Sequence, residues 1–245
     1  MAEEKQEFIE FDAPNELKMM IFPRVDNLDA LRMTRESVYS TSPPDQAKLV
    51  IDIARTFFDL KEASITDATA NIGGNLYAMI PEFKKVNAVE IHPQTFGMLK
   101  HNVSIIHPSA NNVVFINDDY SQIYQDLEQN IMFIDPPWGG VDYYSKKDQE
   151  LYLSDMPLQK LIARMQHNTE LIIAKLPTTY PTADLIDKDR WMFSKLINVT
   201  RKGKGKGRKC QTKVVYNLLV LSNVLPMYAL KNSHVTKHLN YRQFL

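Results

Sequence analysis

The chain has 245 residues, carries no net formal charge, and is 44% hydrophobic and 24% charged. These values describe one soluble globular domain, or one with a short extension, large enough to bury a core without staples. The lone cysteine, Cys210, excludes an intrachain disulfide, no apolar run reaches the roughly 20 residues of a membrane span, and the acidic stretch 1–10 is no secretory signal.

Residues 1–20 are mixed and weakly patterned, and read as a disordered or loosely docked arm. From Pro43 the pattern changes. Ala47, Val50, Ile51, Ala54, Phe57 and Phe58 recur at helical spacing, with Ser42 as N-cap and Pro43 at the first position. A strand is expected over 63–68, leading into Asn71-Ile72-Gly73-Gly74-Asn75 and a short helix that ends near Pro81. A second strand, 85–91, feeds a helix over 92–107 that opens on Pro93. A third, 113–116, feeds a helix over 120–129, and a fourth, 131–134, ends at Asp135-Pro136-Pro137. A helix over 157–166 precedes a fifth strand, 171–174. After a short helix near 183–187 come two strand-like runs, 192–199 and 214–221.

Five strand-then-helix units in series call for an α/β fold with a parallel, doubly wound sheet. Two last strands with no helix between them call for an antiparallel addition at one edge. The chain divides into an N-terminal arm, 1–42, a main domain, 43–222, and a tail, 223–245. In such sheets ligands sit beyond the carboxyl ends of the strands, and the informative motifs all fall there.

The first motif runs from Asp67 through Gly73, Gly74 and Asn75 after strand one. Glycines at a strand-to-helix turn admit a ligand close to the backbone, and the helix N-terminus offers N–H donors to an anionic group. A plain tight turn is the alternative. The run is not GxGxxG, so a dinucleotide fits poorly. Glu90, at the end of strand two, could accept from both hydroxyls of a ribose, or be a solvated strand-end acid. After strand three, Asp118 and Asp119 could take an adenine amino group, or cap the next helix. Both readings can hold together.

The fourth motif, Asp135-Pro136-Pro137-Trp138-Gly139-Gly140, carries most weight. An exocyclic amine on a base is a weak nucleophile because its lone pair is delocalised. Acceptors around its N–H groups, the Asp135 carboxylate and the Pro136 carbonyl, can hold it for in-line attack on a methyl sulfonium. Trp138 offers a flat face for a base, worth about 1–3 kcal/mol, and more for a cationic one. Tyr143 and Tyr144 follow as pocket walls or as packing residues. The basic run 201–209, with Lys204 and Lys206, suits RNA phosphates or is a solvated loop. A single cysteine and six histidines without ligand spacing make a zinc site unexpected.

With these residues assembled, the chain resembles class I methyltransferases of the trimethylguanosine synthase type over about 24–221. The likeness begins in 31–43, which includes Tyr39 and Ser42 and is similar to the family's Arg-Glu-aromatic-Ser-x-Thr-Pro stretch. It continues in the Gly-Gly-Asn turn, in Glu90-Ile91-His92-Pro93, in Asp119-Tyr120 and in Pro136-Pro137-Trp138-Gly139-Gly140 with Asp142-Tyr143. The resemblance implies a Rossmann-like, seven-stranded, mostly parallel sheet with its last strand antiparallel and an N-terminal helical extension. It implies S-adenosylmethionine as methyl donor, with Ser42 helping to cover it, and methyl transfer to N2 of a 7-methylguanosine cap stacked on Trp138. Capped RNA or a cap nucleotide is then the partner, in the nucleus or cytoplasm (host cytoplasm for a viral chain), with no membrane and a monomer favoured. Three positions depart from the family pattern. Asn71 stands for Gly, Asp135 for the Ser of cap enzymes, and Val38 for an aromatic; Asp at 135 is common in adenine-N6 enzymes. Other nucleic-acid amino-methyltransferases, acting on guanine N2 or adenine N6, and a non-catalytic RNA-binding protein with this fold stay open beside the cap.

Overall fold

The computed structural model describes residues 10–22, 25–139, 150–183, 185–186, 190–202, 212–228 and 233–236. Its centre is built from strands buried because helices cover both faces of the sheet. These are β1 (Ser64–Asp67), β4 (Ile131–Ile134) and β7 (Leu171–Leu176), which are buried along their length except at Lys175. With β2 (Lys85–Val89), β3 (Val113–Ile116), β8 (Phe193–Lys202), β9 (Thr212–Ser222) and β10 (Ser233–Thr236) they form one sheet in the order β10-β8-β9-β7-β4-β1-β2-β3. A two-residue pair, β5 (Tyr152–Leu153) and β6 (Met156–Pro157), stands apart.

β1 runs parallel to β2 and β4, β2 to β3, and β4 to β7. β9 is antiparallel to both β7 and β8 and lies between them. The expected antiparallel addition is therefore present as an inserted strand, and β8 again runs with the parallel set. An eighth strand, β10, which the sequence reading left inside the 223–245 tail, pairs parallel to β8.

Period-two alternation sorts the strands onto two cores. Ile131, Phe133, Leu171 and Ile173 pack on one face with α3 (Pro44–Ala54), α4 (Leu76–Met79) and α5 (Pro93–Ile106). Met132, Ile134, Ile172 and Ala174 pack on the other with α6 (Tyr120–Ile123) and α7 (Leu158–Met165). Trp138 touches both clusters. No helix among the described residues is long and apolar enough to cross a membrane.

Three local expectations change. The helix expected over 120–129 stops at Ile123 and continues as one 3-10 turn, Tyr124–Asp126. The Gln129 side chain takes the Tyr124 carbonyl and accepts from the Tyr120 hydroxyl, which turns the chain back toward β4. Near 183–187 the described residues make one turn, Leu185 and Ile186 amides on the Thr182 carbonyl, rather than a helix. Ser42 is not the cap of α3. Pro43 takes that place in extended backbone and Pro44 opens the helix, which frees the Ser42 side chain for other partners.

The described part of the N-terminal arm is docked, not loose. α1 (Asn15–Ile21) buries Leu17 and Ile21, and with Phe22 just beyond it and Leu31, Met33 and Val38 packs against Ile72 and Met98. Asn102 of α5 clamps this layer. Its Oδ1 accepts from the Arg32 amide, and its Nδ2 donates to the Arg32 and Ile72 carbonyls. Asn102→Ala leaves those groups without these partners and is expected to cost about 2–3 kcal/mol. That is a fall in Tm of roughly 4–12 °C by thermal shift. An unchanged Tm would mean that apolar contact alone holds the arm.

Candidate active site

The expected motifs converge at the carboxyl ends of β1, β2, β3 and β4. The turn after β1 is shaped by two left-handed residues, Asn71 at φ 50° and Gly73 at φ 96°. Asn is among the few side chains that tolerate this region. Here its Oδ1 accepts from the Ile72 amide while Nδ2 donates to Ser40 Oγ. Asn71 in place of glycine thus keeps a turn of glycine type. A Cβ on Gly74 would overlap the Thr41 methyl and stand 3.1 Å from the Ser42 carbonyl. The segment before α3 lies directly on the glycine turn.

Asp67 is fully buried and accepts from the Thr69 amide at 3.1 Å and from Asn75 Nδ2 at 3.2 Å. Burial pushes its carboxyl up to about 7, with Asp135 and Glu90 adding to the rise and the two donors opposing it. Asn75 Oδ1 is buried beside it with no donor among the described residues. Glu90, also buried, receives the Asn71 amide on Oε2 at 3.0 Å and the His92 amide on Oε1 at 2.9 Å. Burial raises its pKa, the His92 and Asn71 amides oppose that, and Glu36 adds to it. Asp119 caps α6 by accepting from the Ser121 amide. Asp118 is exposed and takes the Asp119 amide. Both acids thus make local backbone contacts here.

At the end of β4 the Asp135 amide donates to Thr69 Oγ1, which ties this loop to the turn after β1. Pro136 is buried, Trp138 is half-buried, and Gly139 turns the chain at φ 88°. The Asp135 carboxylate, with its side chain 15% exposed, pairs with Lys175 Nζ at 2.6 Å. Ser42 Oγ lies 3.0 Å from the same Nζ and 3.4 Å from Asp135 Oδ2. Burial raises the Asp135 pKa, and Lys175 and Ser42 oppose the rise. Tyr39, on the short helix α2 (Ser37–Ser40), is exposed. Tyr143, Lys204 and Lys206 lie outside the described residues.

The structure thus brings together Asp67, Gly73, Gly74, Asn75 and Glu90 on one side and Ser42, Asp135, Pro136 and Trp138 on the other. Sequence reasoning missed Lys175 and Tyr216. Lys175 had a signal, a lone charge closing the apolar run Leu171–Leu176 at a strand end. Tyr216 sits among ordinary strand formers on β9 and had none.

Fold and site together define a class I methyltransferase domain. A family model described as RNA cap guanine-N2 methyltransferase matches residues 62–232, and the chain belongs to that family. An uncharacterized protein of Acanthamoeba polyphaga mimivirus is 30% identical over 172 residues, 67% of this chain and 61% of that protein. The trimethylguanosine synthase of Schizosaccharomyces pombe is 29% identical over 147 residues, 56% of this chain and 59% of that protein. The chain therefore spans about three fifths of the length of these relatives. Among solved structures, a SAM-dependent methyltransferase from Agrobacterium tumefaciens has a TM-score of 0.56 at 10% identity, covering 75% of this chain and 63% of that one. A precorrin-6y C5,15-methyltransferase from Geobacter metallireducens has a TM-score of 0.50 at 14% identity, covering 75% and 90%. These two likenesses concern the fold alone.

The cofactor is S-adenosylmethionine, and the residues present fit it. The unmatched Asn75 Oδ1 and the Asp67 carboxylate suit a cationic amino-acid end, and each Glu90 oxygen keeps a lone pair for a ribose hydroxyl. Asp67 is neutral below about pH 7 and charged above it. Affinity for the positively charged donor is therefore expected to rise several-fold between about pH 6 and 8. Calorimetric titration across that range checks this. An equally steep rise in Asp67→Asn would assign it to another group.

Proposed function

We propose that the chain transfers a methyl group from S-adenosylmethionine to the exocyclic N2 amine of a 7-methylguanosine cap on RNA. The observation that carries this reading is the ledge at the end of β4, a nearly buried carboxylate three residues from a half-buried indole. It stands beside the donor-side turn, to which Thr69 ties it. The bound donor supplies a methyl group on a sulfonium, ready for displacement by nitrogen. Trp138 holds the base by its face while Asp135 and the Pro136 carbonyl accept from the amine's N–H groups and aim its lone pair. The donor's sulfur would be the leaving group and the nitrogen's surplus proton would leave to water, so Asp135 and Pro136 orient the amine without acting as a strong base. Tyr39 and Tyr143 are assigned to the walls around the base, and Lys204 and Lys206 to RNA phosphates.

A second reading is favoured by one contact. Lys175 Nζ stands 5.5 Å from the Trp138 ring centre, and a cation there opposes a cationic base on the same indole. This suits a neutral guanine or adenine. Methyl transfer from labelled S-adenosylmethionine, measured side by side on 7-methyl-GTP, GTP and uncapped RNA, separates the two. Transfer to 7-methyl-GTP alone supports the cap. Transfer confined to uncapped RNA replaces it with an internal base, and no transfer with no donor binding leaves a non-catalytic protein.

A further inference from the structure

We propose that Lys175 is a positioning residue for the amine acceptor: its ammonium fixes Oδ2 of Asp135 and leaves Oδ1 to receive an N–H of the base being methylated. The inference deepens the reading above and rests on it for the identity of what Oδ1 receives.

The geometry is confined on every side that the described residues supply. Lys175 enters from β7, the strand next to β4, and its side chain is only 13% exposed. Its Nζ meets Asp135 Oδ2 at 2.6 Å and Ser42 Oγ at 3.0 Å. It lies 5.2 Å from the ring centre of Tyr216 and 5.5 Å from that of Trp138. Two acceptors and two aromatic rings leave a long, otherwise mobile side chain with one place for its charge. Both donors, Lys175 Nζ and Ser42 Oγ, converge on the same carboxylate oxygen. No hydrogen bond among the described residues reaches Oδ1. Lys175 also spans the two ligand sides, since Ser42 belongs to the segment that lies on Gly74.

The chemical purpose follows from charge. A carboxyl group this secluded is driven toward its neutral form, in which a proton occupies one oxygen and the group donates where it should accept. The charged and titratable groups around Asp135 are Asp67 from β1, Lys175 from β7 and Tyr216 from β9, with Asp45 of α3 acting on Tyr216. Of these only Lys175 favours the carboxylate, so without it Asp135 holds its proton to higher pH. A rate that needs the carboxylate rises with pH through the Asp135 transition, and removing Lys175 moves that rise upward.

The test uses the full chain with Lys175→Gln and Lys175→Arg. Each is made alone and in a Trp191→Phe background, where Trp138 is the one remaining tryptophan and a neutral carboxyl beside it quenches emission. Lys175→Gln is expected to shift the pH midpoint of Trp138 emission, and the acid limb of kcat, upward by about one to three units. At pH values below both midpoints kcat should fall by roughly tenfold or more, with KM for the donor nearly unchanged. Lys175→Arg should keep both midpoints close to those of the unaltered chain. Equal midpoints in Lys175→Gln and the unaltered chain overturn the inference, as does a shifted emission midpoint with an unshifted kcat profile. If the unaltered chain methylates no base while the emission midpoint still moves, the proposed function fails and the coupling of Lys175 to Asp135 stands.

Discussion

Trp138→Ala is expected to lower kcat/KM for the base substrate by roughly 5- to 150-fold and to leave S-adenosylmethionine affinity nearly intact. The range follows from the worth of one base–aromatic stack, about 1–3 kcal/mol. The split between substrates follows from place. Trp138 stands at the end of β4, while the polar groups suited to the donor stand at the ends of β1 and β2. The indole also packs on the cores of both sheet faces, so truncation removes structural contacts as well. Trp138→Leu separates the two roles, because a branched aliphatic side chain keeps much of the packing and loses the stacking face. Donor binding by calorimetry and kcat/KM on the base are the paired measurements. Restoration of kcat/KM on the base in Trp138→Leu would falsify the stacking role and leave a structural tryptophan.

Glu90→Ala is expected to show the opposite pattern, with donor affinity falling by roughly 150-fold or more. Two hydroxyl donors to one carboxylate are each worth about 1.5–3 kcal/mol. The same carboxylate also ties the Asn71 and His92 amides, so the turn loosens with its loss. Donor Kd and KM for the donor should rise together, and kcat at saturating donor should suffer far less. Equal falls in kcat and kcat/KM would move Glu90 from binding to the reacting centre. Together the two variants test whether the ends of β2 and β4 serve separate ligands.

The elements that the sequence made legible are those whose burial is written into local pattern. β4 and β7 read as strands because four or more consecutive apolar residues between turn signals suit a strand covered on both faces. α5 was legible from Pro93 at its start and from its length. α1 was not, because a helix of seven residues makes barely two turns and shows no clear period. So short a helix holds its shape by docking rather than by its own propensity. β10 was hidden for a related reason, since its pairing with β8 lies far along the chain and leaves no periodicity in four residues. In the site, Asp67, Glu90, Asp135 and Trp138 stood out as chemistry-bearing residues at strand ends. Lys175 did not, because its meaning lies in a partner on another strand, and a strand-end lysine is ordinarily a solvated charge.

The contact of Gly74 with Thr41 and Ser42 has a consequence for how such a chain can change over time. Position 74 has no room for a side chain while Thr41 stands over it. Any substitution there must be answered by a smaller residue at 41 or by a shifted backbone around 42. The two positions are far apart in sequence yet are not free to drift independently, and Ser42 extends the constraint to Asp135 and Lys175. Lineages that reshape the glycine turn should therefore carry matched changes in the segment before α3. A graft of the sheet domain alone onto a foreign N-terminal segment would inherit a mismatch on both faces of the site at once.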